Sequence, residues 1–581
     1  MLEFIVLLRQ RYQAVLLQLN DNSALAETYR QRTEQLTFTE AFIRKGQLLE
    51  SGSKLPLQIA IIGPTQTGKS SLTNVILNSS VADVSPLAGY TVHPHGFCAG
   101  VSIAACHGLQ SYFGRYQQLI PEQLTKQRYD CFALAEAPDV TNLLPKCVLW
   151  DTPDFDSIDA DDYKEGVIRT IALADIIVLV VSKEKYADQS VWEMMATIEA
   201  FKQPTLLCVN KLGEGNESTI IQSLKEKWLQ ARNDVFPDVV PLFYEKESGM
   251  PTWPVRYQEV FFQLAKAVDH RKHLQLQQNI INKHWQAWIE PILAEHRAQE
   301  DWRFLVNTCI EQALGEYQRD YLDHPHHYDT FQKTLIELLV LLEIPGIAKA
   351  LSKIRRVLTW PMRQMMQIGK AKGSGAYASQ ELVLLEQIGE HLLIQITDQL
   401  LEKSDSDRSQ KSWWLGIYRL LREQRKSILA DFHHAVFEYH DDFQHDVEAS
   451  ARRLYRRLEQ QPVLLNGIRA TRFTTDAVLM ALVVQAGGIG LSDLFLTPAM
   501  LSLTSLLTEG AIGSYMDRVE ADLKQKQLLT VKKQLFTDIM QQAFYQLPQY
   551  MPEHNRFAIS VQQLQAAQQQ RVETRYGLQL F

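Results

Sequence analysis

Apolar and polar positions follow two regimes along the chain. Between 57 and about 245, short apolar runs alternate with helical patterns. The runs are LQIAII (57–62), CVLW (147–150), DIIVLVV (175–181), TLLCV (205–209) and VVPLFY (239–244). Apolar residues at helical spacing occupy 188–202 and 217–233. Continuous apolar runs separated by amphipathic helices are the pattern of a parallel sheet covered on both faces. An α/β fold is therefore expected, with 107–146 as an insertion of no assigned structure. After Pro254 the strand-like runs stop. Long helical patterns take over at 256–320, 329–343, 380–403, 410–460 and 515–546, with few internal prolines or glycines.

These regimes predict four regions. Residues 1–50 read as two helices joined near NDNS, packing with the helical region. Residues 51–250 form the α/β domain, 251–547 an all-α bundle or stalk, and 548–581 a polar tail that includes QQLQAAQQQ (562–570). No internal repeat is visible. At 581 residues the chain has room for several cores.

The first strand opens directly onto chemistry. IAIIGPTQTGKSSLTNVI (59–76) runs from an apolar strand through a glycine-bounded loop into an amphipathic helix. The loop obeys G-x-x-x-x-G-K-S, with Gly63, Pro64, Thr65, Gln66, Thr67, Gly68, Lys69, Ser70 and the following Ser71. In such a loop successive backbone N–H groups converge on phosphate oxygens at a helix N-terminus. The lysine reaches the terminal phosphates, and the serine hydroxyl faces Mg²⁺. Motif and context agree, so a nucleotide site is expected here.

With that motif in place, residues 57–245 resemble a P-loop GTPase domain of the translation-factor-related class, near the Era-like and dynamin-like families. The resemblance implies GTP and Mg²⁺ as ligands, a mostly parallel sheet with flanking helices, and a large helical C-terminal region. It also implies roles for particular residues. Thr91, in AGYTVHPHG, takes the place of the switch threonine that joins Mg²⁺. Asp151, in CVLWDTPDFDS, takes the place of the carboxylate that holds Mg²⁺ through water. Ser70, Thr91 and Asp151 are thus the expected metal group, and Lys69, Thr91 and Gln66 the expected catalytic group.

Departures from the family pattern matter as much. Asp154 replaces the glycine of D-x-x-G, so an acidic side chain stands where a phosphate is expected. Asn210 and Lys211 match the base-reading N-K-x-D motif, but Gly213 replaces its aspartate, with Glu214 adjacent. Guanine preference is therefore carried by the resemblance rather than by that motif. YEKESG (244–249) stands where the last motif belongs and matches it poorly. Phe155 occupies the position of a water-orienting glutamine, and a phenyl ring cannot position water. Slow hydrolysis is expected, accelerated by self-association or by a partner, with Gln66, Asp154, Asp156 or a group supplied in trans as alternatives for the missing function.

Charge and composition narrow the partners. The net charge of −8 argues against bulk binding of nucleic acid. Cysteines 98, 106, 131, 147, 208 and 309 lack metal or C-x-x-C spacing and read as buried reduced thiols of a cytoplasmic protein. The start, MLEFIVLLRQRYQAVLLQL, carries Glu3, Arg9 and Arg11 and reads as an amphipathic helix rather than a signal peptide.

Two stretches suit the inner face of a membrane. Residues 344–373 hold seven basic side chains and no acid, with Trp360 and the methionine pair Met365–Met366 among them, a composition that favours an anionic lipid surface. Residues 477–508 carry Asp493 as their one charge. Glycines and Pro498 interrupt the run, so a helical hairpin, inserted shallowly or buried as bundle core, fits better than one span. The histidines in DHPHHYD (323–329) read as a polar loop between helices. Three alternatives stay open from sequence: a non-hydrolysing nucleotide-binding scaffold, a soluble regulatory or assembly NTPase whose hairpin is only core, and an ATP user.

Overall fold

The computed structural model describes residues 1–20, 23–50, 55–84, 91–125, 127–137, 143–155, 160–212, 217–243, 252–324, 329–342, 380–406, 410–463, 465–466, 513–551 and 555–577. Gly213, Glu214, Asp156, the 244–249 stretch, and both membrane-suited segments at 344–373 and 477–508 lie outside them. Two compact units emerge. One comprises Met1–Ile292 with Asn555–Phe581, the other Leu293–His554.

The first unit is built on eight strands: β1 (Leu57–Ile62), β2 (His95–Ala99), β3 (Gln117–Leu119), β4 (Cys131–Glu136), β5 (Cys147–Asp151), β6 (Ile176–Ser182), β7 (Thr205–Leu212) and β8 (Val239–Phe243). Their order across the sheet is β3-β4-β2-β5-β1-β6-β7-β8. Every pairing is parallel except β2 against β5, where His95 faces Asp151 and Ala99 faces Cys147. The insertion at 107–146 thus acquires a structure the sequence did not assign: it contributes β3 and β4, which extend one edge of the sheet. The five apolar runs become β1 and β5 to β8, and the helical patterns between them become α6 (Gln189–Ile198) and α7 (Glu217–Ala231).

Alternation along β1 shows how the sheet is buried. Ala60 and Ile62 face one apolar cluster with Val148, Trp150, Leu179 and Val181, while Ile59 and Ile61 face the other with Leu149, Val178 and Val180. Both sets are fully buried, which explains why the runs are uniformly apolar rather than alternating.

The N-terminal helices α1 (Leu2–Leu16) and α2 (Ala24–Glu50) belong to this unit. Phe38, Ala41 and Phe42 of α2 join the cluster on the first sheet face, beside Ile168 and Ile171 of α5 (Ala160–Leu173). Charge reinforces the packing. Glu40 is buried, and its carboxylate accepts from Arg9 Nε at 2.7 Å, Arg44 Nε at 2.9 Å and Arg169 Nη2 at 3.0 Å. The helices also meet the first part of α9 (His273–Tyr317): Tyr12 donates its hydroxyl to Trp288 O at 2.7 Å.

A second buried carboxylate ties these elements to the sheet. Asp175, just before β6, accepts from Gln58 N at 2.9 Å and pairs with Lys45 Nζ at 2.7 Å and His270 Nε2 at 2.9 Å. Burial alone would raise its pKa. The Lys45 ammonium, His270 and the Gln58 amide outweigh that and hold the carboxyl down at about 2. A depressed folded-state pKa contributes stability above the unfolded value, and that stability is lost as pH falls from about 4 toward 2. Over that interval the wild-type unfolding free energy should drop by on the order of 2 kcal/mol more than that of Asp175→Asn. Urea titrations of both proteins at stepped pH check this, and equal acid slopes would contradict it.

The second unit is helical. The later part of α9 joins α10 (Asp329–Leu341), α11 (Gln380–Ser406), α12 (Lys411–Glu459) and α13 (Gly513–Val531) around one apolar core that includes Trp302, Leu392, Ile417, Phe432 and Phe536. A polar layer crosses that core. Glu381 is buried, and its Oε1 accepts from Tyr317 and Tyr439 hydroxyls and from Gln527 Nε2, each at 2.7 Å. Among the described residues no helix is long and apolar enough to cross a membrane.

Candidate functional site

The site forms where β1 ends and helix α3 (Lys69–Leu77) begins. Close packing dictates both glycines of the loop. A Cβ at Gly63 would sit 2.3 Å from Val180 O, inside the neighbouring strand's backbone. Gly68 has φ +86°, and a Cβ there would meet Asn210 Nδ2 at 2.5 Å. Only glycine satisfies the left-handed backbone and the approach together. The loop's own polar groups brace it: Thr67 Oγ1 donates to Pro64 O at 2.9 Å and Thr73 Oγ1 to Lys69 O at 3.0 Å.

Lys69 is buried, and its ammonium curls back over the loop. It donates to Gly63 O at 3.0 Å and Pro64 O at 3.2 Å, and forms an ion pair with Asp154. Ser70 Oγ donates to Asp151 Oδ2 at 2.6 Å. The other carboxylate oxygen of Asp151, Oδ1, is buried with no hydrogen-bond partner among the described residues. Burial pushes the Asp151 pKa up to about 6. The Ser70 hydroxyl and Lys69 lower it against that trend, and the Asp154 carboxylate raises it further.

Asp151 closes β5, the strand beside β1, and so reaches the start of α3 through strand pairing alone. Thr152 fixes the chain just after it, its Oγ1 donating to Ile61 O at 2.7 Å. Phe155 is buried, consistent with a packing role at that position.

Asn210 and Lys211 lie at the end of β7, two strands away, and they touch the loop directly. Asn210 Nδ2 donates to Thr67 O at 2.9 Å, Asn210 Oδ1 accepts from Lys211 N at 2.9 Å, and Lys211 Nζ donates to Gln66 O at 2.8 Å. Lys211 takes φ 58° to do so and Gln66 takes φ 62°, both unusual for residues with a side chain. The Gln66 side chain is exposed.

The sequence-expected residues thus split. Gly63 to Ser71, Asp151, Asp154, Asn210 and Lys211 converge at the C-terminal edge of β1, β5 and β7. Thr91 lies just before β2. It is half-buried, and among the described residues no hydrogen bond joins it to Ser70 or Asp151. One residue at this edge escaped sequence reasoning. His95 of β2 is the cross-strand partner of Asp151, on the same sheet face, and its Nε2 is buried without a partner among the described residues. Burial drives its pKa down to about 4, so it is a neutral imidazole. Its strand pairing is long-range, and nothing in HPHG signals it.

The residues present suit a magnesium-bound nucleotide. A buried, unpartnered carboxylate oxygen lies beside a serine hydroxyl at the head of α3, next to a buried ammonium. Among the described residues there is no cluster of three or more histidine, cysteine, aspartate or glutamate side chains that would suit a different metal centre.

Comparison with known proteins agrees with this geometry. Residues 58–211 match the profile of the family described as 50S ribosome-binding GTPase. No curated protein matches the chain. Two chains from solved structures described as an oligomerised bacterial dynamin pair, a mechanism for long-range sensing and tethering of membranes, are similar over most of their length. One shares 13% identity with a TM-score of 0.27, covering 97% of this chain and 85% of its own. The other shares 13% identity with a TM-score of 0.26, covering 98% and 92%. From the matched profile, the strand order and the loop that braces Lys69, residues 58–211 are a P-loop GTPase domain, carried on a chain whose described residues beyond 272 are largely helical.

Proposed function

We propose that this protein is a Mg²⁺-dependent GTP hydrolase, slow when alone, whose nucleotide state moves a helical region that self-associates and contacts an anionic membrane surface. The observation that carries the reading is the meeting of Lys69, Ser70 and Asp151 at the mouth of the loop. Backbone N–H groups of 63–70 would bind phosphate oxygens, and Lys69 would supply the positive charge. Ser70 and the free oxygen of Asp151 would hold Mg²⁺, with Thr91 approaching when the switch segment closes. Bound magnesium would supply charge neutralisation on the triphosphate. Lys211, held over Gln66, would pack its stem against either purine, and guanine as the ligand rests on the match of residues 58–211 to a GTPase family.

Slowness follows from what lacks a replacement. Phe155 offers no hydrogen bond to water, and the exposed Gln66 side chain is the candidate left for that task. Since phosphoryl transfer depends on positioning and charge, a second molecule that orders Gln66 would raise the rate. Transmission to the helices has a physical route within the first unit. The 151–155 segment leads into α5, whose Arg169 is locked to Glu40 of α2. For the membrane, support comes from the basic, tryptophan-bearing composition of 344–373 and the apolar hairpin pattern of 477–508.

Turnover measured against protein concentration, with and without vesicles rich in anionic lipid, tests the proposal. Specific activity should climb with concentration and climb again with vesicles. Fast hydrolysis that ignores both would contradict it.

A further inference from the structure

We propose that Asp154 is a built-in occupant of the phosphate-binding position: its carboxylate holds Lys69 in the ligand-free chain and must be displaced before a triphosphate enters. Asp154 then sets the affinity of the site. The inference rests on the nucleotide-site reading above and adds to it a residue whose effect has the opposite sign to that of the rest of the loop.

The argument starts from the donor count. A lysine ammonium has three N–H donors. Here Gly63 O, Pro64 O and the Asp154 carboxylate supply three acceptors, so no donor is left for an incoming phosphate. The two carbonyls belong to the loop's own backbone, at positions fixed by Val180 and Thr67. Asp154 is the one acceptor of the three that a ligand can replace without dismantling the loop.

Burial makes the contact matter. The side chains of Lys69 and Asp154 are 6% and 13% exposed, so water and salt screen their attraction little. A second carboxylate, Asp151, faces the same space from Ser70. A polyanion therefore enters against two negative charges, one of which already sits on the cation it needs. Removing the Asp154 charge lifts the competition and one of the two repulsions together.

The same change has a cost in the empty protein. Without Asp154 the buried ammonium loses its counter-charge, so the ligand-free fold weakens while the liganded one gains. That opposition of signs separates the proposal from its rivals. A residue that merely supports the fold would lower stability and affinity alike, and a residue that helps bind nucleotide would lower affinity.

The experiment titrates the full chain with GTP at fixed Mg²⁺ by calorimetry, for wild type, Asp154→Asn and Asp154→Gly. Nucleotide-free melting curves of the same samples accompany it. Asn keeps the shape, and Gly restores the residue of the family pattern, so one variant serves if the other folds poorly. The expected result is at least a tenfold gain in GTP affinity for each folded variant, with a lower melting temperature before nucleotide is added. A smaller gain, or a loss, overturns the proposal. If wild type binds GTP and the variants bind no better, the inference fails while the nucleotide site stands. If none of the three binds GTP, both fail.

Discussion

Lys69→Ala should reduce GTP affinity by a hundredfold or more while leaving the chain folded. Among the described residues the ammonium is the one buried cation at the loop, and two carboxylates, Asp151 and Asp154, face the same space. Truncating one partner of a buried, hydrogen-bonded charge pair costs about 2–5 kcal/mol, and each 1.4 kcal/mol is about tenfold in affinity. The upper half of that range applies here, because alanine leaves the triphosphate facing two acids with no counter-charge. The ligand-free fold should also weaken, because Asp154 loses the ammonium it pairs with, so affinity is read on the folded fraction. Calorimetric titration with GTP, with ATP as competitor, checks the affinity and the base preference in one series. Binding by Lys69→Ala within threefold of wild type would remove the basis for placing phosphates at this loop.

Glu40→Ala should be the most destabilising single change in the first unit, at about 3–5 kcal/mol, the range for breaking a buried ion pair from one side. Glu40 answers three guanidinium groups, and two of them, Arg9 and Arg169, are themselves buried. Their attraction outweighs burial and holds the Glu40 pKa below the ordinary value. Alanine leaves those cations, between α1, α2 and α5, with Glu165 as their remaining carboxylate. Glu40→Gln, which keeps the shape and loses the charge, should cost less. Hydrogen-exchange protection of the β6 amides under mild urea reports the loss within this unit. A change below about 1 kcal/mol would mean that the arginines find water or other acceptors.

The two substitutions act at opposite ends of one path. Lys69 faces the ligand, and Arg169 with Glu40 faces the N-terminal helices, with the 151–155 segment and α5 between them. A Glu40 variant that still binds GTP but no longer responds to protein concentration would locate the coupling there.

Legibility in the sequence tracked how local each feature is. β1 ends where LQIAII ends, and the loop announced itself because four residues at fixed spacing serve one ligand. The runs at 147, 175, 205 and 239 were equally plain, since strands buried on both faces need uninterrupted apolar residues. β2 was not. His95-Gly96-Phe97-Cys98-Ala99 contains a histidine and a glycine, and its strand character comes from pairing with β4 and β5. Gly96 is there because Leu134 and Trp150 leave no room for a Cβ, a constraint imposed by residues far along the chain.

The charges tell the same story. Sequence placed the acidic Asp154 where a phosphate is expected. The structure instead closes it onto Lys69, a choice that depends on where β5 delivers the segment. Asp175 with Lys45 and His270 draws on three separate regions of the chain and has no local signature. The helical pattern at 256–320 also proved divisible. α8 (Val260–Ala267) stops at Val268, which is extended, and α9 restarts at His273, whose ring stacks on Phe42 of α2.

The acid at the heart of the helical unit has a geometric corollary. Glu381 draws its donors from α9, α12 and α13, one side chain from each, and all three must arrive at the same level. A helix that slid along its axis by one turn, about 5.4 Å, would carry its tyrosine or glutamine out of reach and leave an anion in oil. Leucines tolerate such slippage, because one apolar rung resembles the next. The carboxylate therefore works as an index pin, permitting the rods to tilt or bend while forbidding them to shift past one another.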